Sequence, residues 1–142
     1  MIERLLCGLL LLGSASMQSE TVAEVIVRGS AARPAIERIL TADNLDIDRL
    51  SPREVADTMA EIPRGRAPGK FWSAYQKHVR AWQDYADAQD KSRAATSPTD
   101  IDNRPDGVAI ANARKRINIT FDEVETIAHE YRARVPAFST RF

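Results

Sequence analysis

Cysteine, histidine and net charge are all scarce in this sequence, and each shortage removes a class of function. Its 142 residues include one cysteine, Cys7, and two histidines, His78 and His129, while 20 lysines and arginines balance 20 aspartates and glutamates. Cys7 lies inside the first apolar run instead of just after it, so it does not read as a lipid-attachment cysteine. Once that run is removed no thiol remains, which excludes disulfide staples and thiol chemistry together. A net charge of zero provides no general field for nucleic acid or an anionic membrane, and neither is an expected partner. No apolar run approaches the roughly 20 residues that a membrane-spanning helix needs, so no stable membrane span is expected. Serine elbows, paired histidines and a histidine-glutamate zinc signature are all missing. No catalytic residue, metal ligand or cofactor is therefore expected, and the chain reads as a binding protein more readily than as an enzyme.

What is present begins with a leader. Arg4 and the amino terminus give a weakly positive start, Leu5 to Leu12 is apolar apart from Gly8, and Ser14, Ala15 and Ser16 are small residues suited to a peptidase. This pattern predicts a cleaved signal peptide over 1–16 and a mature single domain over 17–142. The shortness of the leader suggests a bacterial protein that is periplasmic or secreted. A length of this order buries a real core, and an apolar share of 44% supplies it. The mature domain must hold by packing alone.

Capping signals divide the rest into helices. The stretch TVAEVIVRG (21–29) is β-branched and reads as a short strand or extended arm. A short helix then follows over SAARPAIERIL, with Pro34 in its first turn and Ile36, Ile39 and Leu40 on one face. The clearest start is SPREVADTMAEI: Ser51 caps, Pro52 takes the first helical position, and Glu54 completes a capping box. A long polar loop is expected over 90–107, where Ile101 is the only large apolar residue. In the last third, Ile110, Arg114, Ile117, Phe121, Val124, Ala128, Tyr131 and Val135 alternate four and three apart. That spacing is one helical face, interrupted by Arg114 alone. Thr120 with Glu123 is a second candidate capping box, so the segment is one bent helix or two meeting at INIT. About four helices with no second strand to pair predict an all-α bundle.

The stretch FWSAYQKHVRAWQDYADA (71–88) concentrates five of the nine aromatic residues and one histidine. At about 100° per residue, Phe71, Tyr75, His78, Val79, Trp82, Tyr85 and Ala86 share one face, with Lys77, Arg80, Asp84 and Asp87 opposite. Two readings of His78 follow. In one, the ring is a satisfied core group packed against aromatics. In the other it centres a ligand pocket or catalytic site, with Tyr75, Trp82 and Tyr85 as walls.

Other motifs fail in detail. GRAPGK (65–70) resembles a phosphate-binding loop, but three residues separate its glycines and Phe71 stands where serine or threonine should be. NLDIDR sets Asn44, Asp46 and Asp48 at calcium-loop positions, yet Arg49 and Val55 replace the needed glycine and glutamate. A looser divalent site would use Asp43, Asp46 and Asp48. Arg114, Lys115 and Arg116, with Arg64, Arg66 and Lys70, read as ordinary solvated cations. AFSTRF (137–142) alternates as the closing strand of an outer-membrane barrel does, but no other segment shares the pattern. The function expected is that of an exported helical protein that binds an unknown protein or envelope component. The alternative is a small-ligand or catalytic domain around His78.

Overall fold

Four helices account for most of the computed structural model, which describes residues 22–94, 105–137 and 142. They are α1 (Val22–Ala42), α2 (Pro52–Glu61), α3 (Gly69–Ala94) and α4 (Pro105–Glu130), and no strand occurs among the described residues. The architecture is a small all-α bundle. The expected leader, positions 95–104 of the expected loop and positions 138–141 of the tail lie outside the described residues.

Three local expectations change. Residues 22–29 belong to α1, not to a strand or arm, and Pro34 lies inside that helix. With no second strand available, an extended segment would leave its backbone groups unpaired, whereas a helix pairs them within itself. Both flanks of the expected loop are also helical. Gln89, Lys91, Arg93 and Ala94 are good helix formers, and Lys91 and Arg93 in the last turn complement the helix dipole. Pro105 opens α4, where its missing donor costs nothing. Finally, α4 passes through INIT as one element. The Thr120 hydroxyl donates back to the carbonyls of Arg116 (2.8 Å) and Ile117 (3.0 Å), so it caps no new helix.

The Ser51 box forms as expected. Ser51 Oγ accepts from Glu54 N–H, and the Glu54 carboxylate accepts from Ser51 N–H at 2.8 Å. At the far end of α4, Arg132 takes a left-handed conformation (φ 54°). Ala133 N–H then reaches Ala128 O at 3.0 Å and Arg132 N–H reaches His129 O at 2.9 Å, the paired bonds of a Schellman ending.

The core lies between the helices. Ile36 and Ile39 of α1, Val55 and Met59 of α2, Phe71 and Tyr75 of α3, and Ile117 and Val124 of α4 are wholly buried. Each contributes roughly 1.5–3 kcal/mol of apolar burial. The α3–α4 seam is antiparallel and flanked by ion pairs at seven-residue intervals. Lys70 meets Glu130 at 2.6 Å, Lys77 meets Glu123 at 2.7 Å, and Asp84 meets Arg116 at 3.4 Å. All six side chains are about half exposed, so each pair contributes no more than about 1 kcal/mol. Their value is register, because a one-turn slip would separate all three. Arg53 fastens α2 to α3 through Asp87 and Asp90 in the same way.

Two long-range bonds close the bundle around α1. Arg38 Nη2 donates to Pro63 O at 2.7 Å, and Arg134 N–H donates to Glu37 Oε1 at 2.9 Å. Gly65 turns the α2–α3 connection with φ 56°, and a Cβ there would lie 3.0 Å from Arg38 Nη2. The GRAPGK segment is thus a turn held against α1. No helix among the described residues is long and apolar enough to cross a membrane.

Candidate functional site

The four aromatic positions singled out on α3 divide into two environments. Tyr75 and His78 are completely buried. Trp82 and Tyr85, one and two turns further along, line a hollow.

His78 sits at the α3–α4 seam. Its Nδ1 lies 3.0 Å from Thr120 Oγ1, and its ring meets Phe121 edge-on at a centroid distance of 5.3 Å. The Thr120 hydroxyl also reaches the Arg116 and Ile117 carbonyls, and donation to either leaves an oxygen lone pair for the ring, which favours Nδ1–H as the donor. A threonine that bends back on its own helix therefore serves a second purpose as a half-buried acceptor.

Tyr75 meets a partner that the sequence reading placed elsewhere. Its hydroxyl lies 3.3 Å from Asp43 Oδ1 and 3.4 Å from Met59 O. Asp43 is 2% exposed, not a solvated loop residue. Burial pushes the Tyr75 phenol well above its ordinary range, and the charge of Asp43 adds to the effect. The signal was available: Ile36, Ile39, Leu40 and Asp43 are spaced three and four apart, which places Asp43 on the apolar stripe of α1. Asp46 instead forms a local turn, accepting from Asp48 N–H at 3.3 Å and pairing with Arg49. Among the described residues no group of three or more histidine, cysteine, aspartate or glutamate side chains is placed to hold a metal ion.

The other half of the α3 face differs. Ile47 and Leu50 from the α1–α2 connection and Pro52 at the start of α2, with Trp82, Tyr85, Gln89, Arg93 and Phe142, surround a hollow of about 250 Å³. Gln89 Nε2 donates to Tyr85 Oη at 2.9 Å and fixes the phenol at the rim. The ring of Phe142 lies 5.3 Å from Trp82 at a tilt of 33° and 5.1 Å from Tyr85 at 73°. Arg114 covers its outer side, with the guanidinium carbon 4.2 Å from the ring centroid. Phe142 N–H donates to Asn118 Oδ1 at 3.1 Å.

Arg114, the break in the apolar seam of α4, thus stands over an aromatic ring instead of interrupting the core. Three of the other cations grouped with it turn to separate partners. Arg116 pairs with Asp84, Lys70 with Glu130, and Arg64 Nε donates to Ala67 O. Three larger and more open hollows, of about 480, 390 and 320 Å³, adjoin Asp84 and Arg116 on the outer α3–α4 surface and lack aromatic lining. Neither His78 nor Tyr75 lines any of the four.

Comparison with family models, curated proteins and solved structures finds no match to this chain. The functional reading therefore stands on the geometry of the groove.

Proposed function

We propose that the chain is a small exported helical binding protein of the bacterial envelope, which docks a partner at the groove formed by Trp82, Tyr85 and the α1–α2 connection. The observation that carries this reading is the change along one helical face from a closed core to an aromatic-lined hollow. Trp82 and Tyr85 are already positioned by a rigid helix beneath Phe142, so once that ring moves aside they offer area to a partner at little entropic cost, which is why tryptophan and tyrosine dominate binding hot spots. Apolar Ile47 and Leu50 on one side and the polar heads of Gln89 and Arg93 on the other give the groove both burial and orientation. Export rests on the leader pattern of residues 1–16. Catalysis at His78 finds no support in the geometry, because the ring is sealed from water between α3 and α4.

Site-specific photocrosslinking in living cells tests this. A crosslinker at Gln89 should capture one reproducible envelope component, and the same group at Lys77 on the far side of α3 should not. Equal labelling from both positions, or none from either, would remove the groove as the docking element. Fractionation of the same cells checks export: the chain should be recovered from the periplasm or medium with its leader removed.

A further inference from the structure

The Trp82 and Tyr85 groove already holds a ring, and the way it is held describes what the groove accepts. Phe142 is gripped on three sides. Trp82 and Tyr85 take its inner surface, Arg114 stacks over the outer one, and Asn118 accepts its backbone N–H. A planar ring attached to a peptide N–H satisfies all four contacts together. An aliphatic side chain would lose the stacking and the cation contact. A free aromatic molecule without an adjacent amide would lose the bond to Asn118.

Phe142 is also poorly buried for a ring held in this way, remaining 42% exposed. Trp82, by contrast, is 1% exposed with Phe142 against it. Phe142 thus covers a residue better buried than itself, as a cap does. The hollow beside it measures about 250 Å³, just under the roughly 300–1,000 Å³ typical of ligand pockets. Phe142 forms one of its walls, so withdrawing that ring would enlarge the space.

We infer that this groove is a receptor for an aromatic side chain carried on a partner polypeptide, and that Phe142 fills it in competition with that partner. The inference rests on the docking reading above and deepens it by naming the ligand chemistry and an intramolecular competitor. Ile47, Leu50 and Pro52 line the adjoining hollow, so an apolar residue beside the partner's aromatic one would be accommodated there.

The test is a calorimetric titration of the full chain and its Phe142→Ala variant with a blocked hexapeptide that copies residues 137–142, Ala-Phe-Ser-Thr-Arg-Phe. Phe142→Ala should keep its melting temperature to within a few degrees and bind the peptide saturably, with the unsubstituted chain at least about tenfold weaker because its own ring competes. Replacing the last residue of the peptide with alanine should abolish binding. Adding Arg114→Ala to the Phe142→Ala chain should weaken it about two- to fivefold, the size of one partly exposed cation contact. Equal affinity for the two chains, absence of saturable binding to a folded Phe142→Ala, or unchanged binding of the alanine-ended peptide would each overturn the inference. So would a concentration-dependent dimer lost on Phe142→Ala, which would assign the groove to a second copy. A Gln89 crosslink to a partner whose contacting segment lacks an aromatic residue would sink the aromatic receptor and leave the docking reading intact.

Discussion

The two ends of α3 carry aromatic rings on the same helical face, yet one end is sealed and the other is covered by a residue that is itself half exposed. At the sealed end, the turn that ends α1 supplies Asp43 and α2 supplies Met59 to Tyr75, while α4 supplies Thr120 and Phe121 to His78. At the other end Trp82 and Tyr85 face the irregular α1–α2 connection and Phe142. The difference teaches that a helix face is not one environment. Its composition determines which residues point inward, and the lengths and ends of its neighbours determine where inward stops being closed.

The sharpest way to break this contrast is to truncate one ring at each end. Phe121→Ala removes a fully enclosed ring and should cost about 3–5 kcal/mol in urea unfolding. Phe142→Ala should cost under about 1 kcal/mol, since its ring is 42% exposed. Comparable losses would erase the distinction.

A smaller effect isolates polar closure. Thr120→Val keeps the shape but removes the acceptor of His78 Nδ1, and leaving that group unpaired should cost about 1–3 kcal/mol. Substituting the exposed Lys115 nearby should change stability by less than about 0.5 kcal/mol.

Titration draws on both ends in acid and on the closed end alone in alkali. Asp87 is held below its ordinary value of 3.8 by Arg53, and Glu54 below 4.5 by Ser51, both near the open end. Glu37 is held below 4.5 by the Arg134 N–H and by Arg33, and belongs to the closed end. A carboxylate depressed in the folded state stabilises above its unfolded pKa and loses that contribution as pH falls through its folded value. Unfolding free energy should thus be level from neutrality down to about pH 5 and decline below about 4.5. On the alkaline side Tyr75 has the opposite sense. Its raised phenol stabilises fully below 10.0 and loses that contribution above it. Tyr75→Phe should flatten the alkaline limb while leaving the acid limb in place.

The smallest expected change is at the end of α4. Arg132 adopts φ 54°, where a side chain is strained, so Arg132→Gly should raise stability, by no more than about 1 kcal/mol. A loss there would mean that the arginine side chain makes a contribution larger than the strain it causes.

Much of the bundle was legible because its signals are local. Ser51, Pro52 and Glu54 announce α2 within four residues, and the four-three alternation from Ile110 to Val135 announces α4 while overrunning its end at Glu130. The reading failed where a local preference was overruled. Three valines and an isoleucine over 22–27 favour an extended chain, but nothing in the sequence offers them a second strand, and α1 absorbs them. Thr120 resembled a cap because its spacing to Glu123 is right, although its hydroxyl turns back and inward.

The candidate site was half legible for a different reason. The wheel placed Tyr75, His78, Trp82 and Tyr85 together correctly as a face, but angle around a helix carries no information about position along it. Which rings would be sealed depends on Asp43, Thr120 and Phe142, which lie 32, 42 and 60 or so residues from them in sequence. The ion-pair ladder was unread for the same reason. Lys70, Lys77 and Asp84 acquire meaning only against Glu130, Glu123 and Arg116 on a helix running the other way.

Acrylamide quenching of Trp82 tests the contrast most directly. In a Trp72→Phe background, the fluorescence reports Trp82 alone, and in the intact chain that residue should be well protected. Phe142→Ala should raise its quenching constant severalfold with the melting curve nearly unchanged, while Phe121→Ala at the closed end should raise it only in step with unfolding. Quenching that stays low without Phe142 in a folded chain would show that Trp82 is sealed by the bundle itself, and the open groove would be withdrawn.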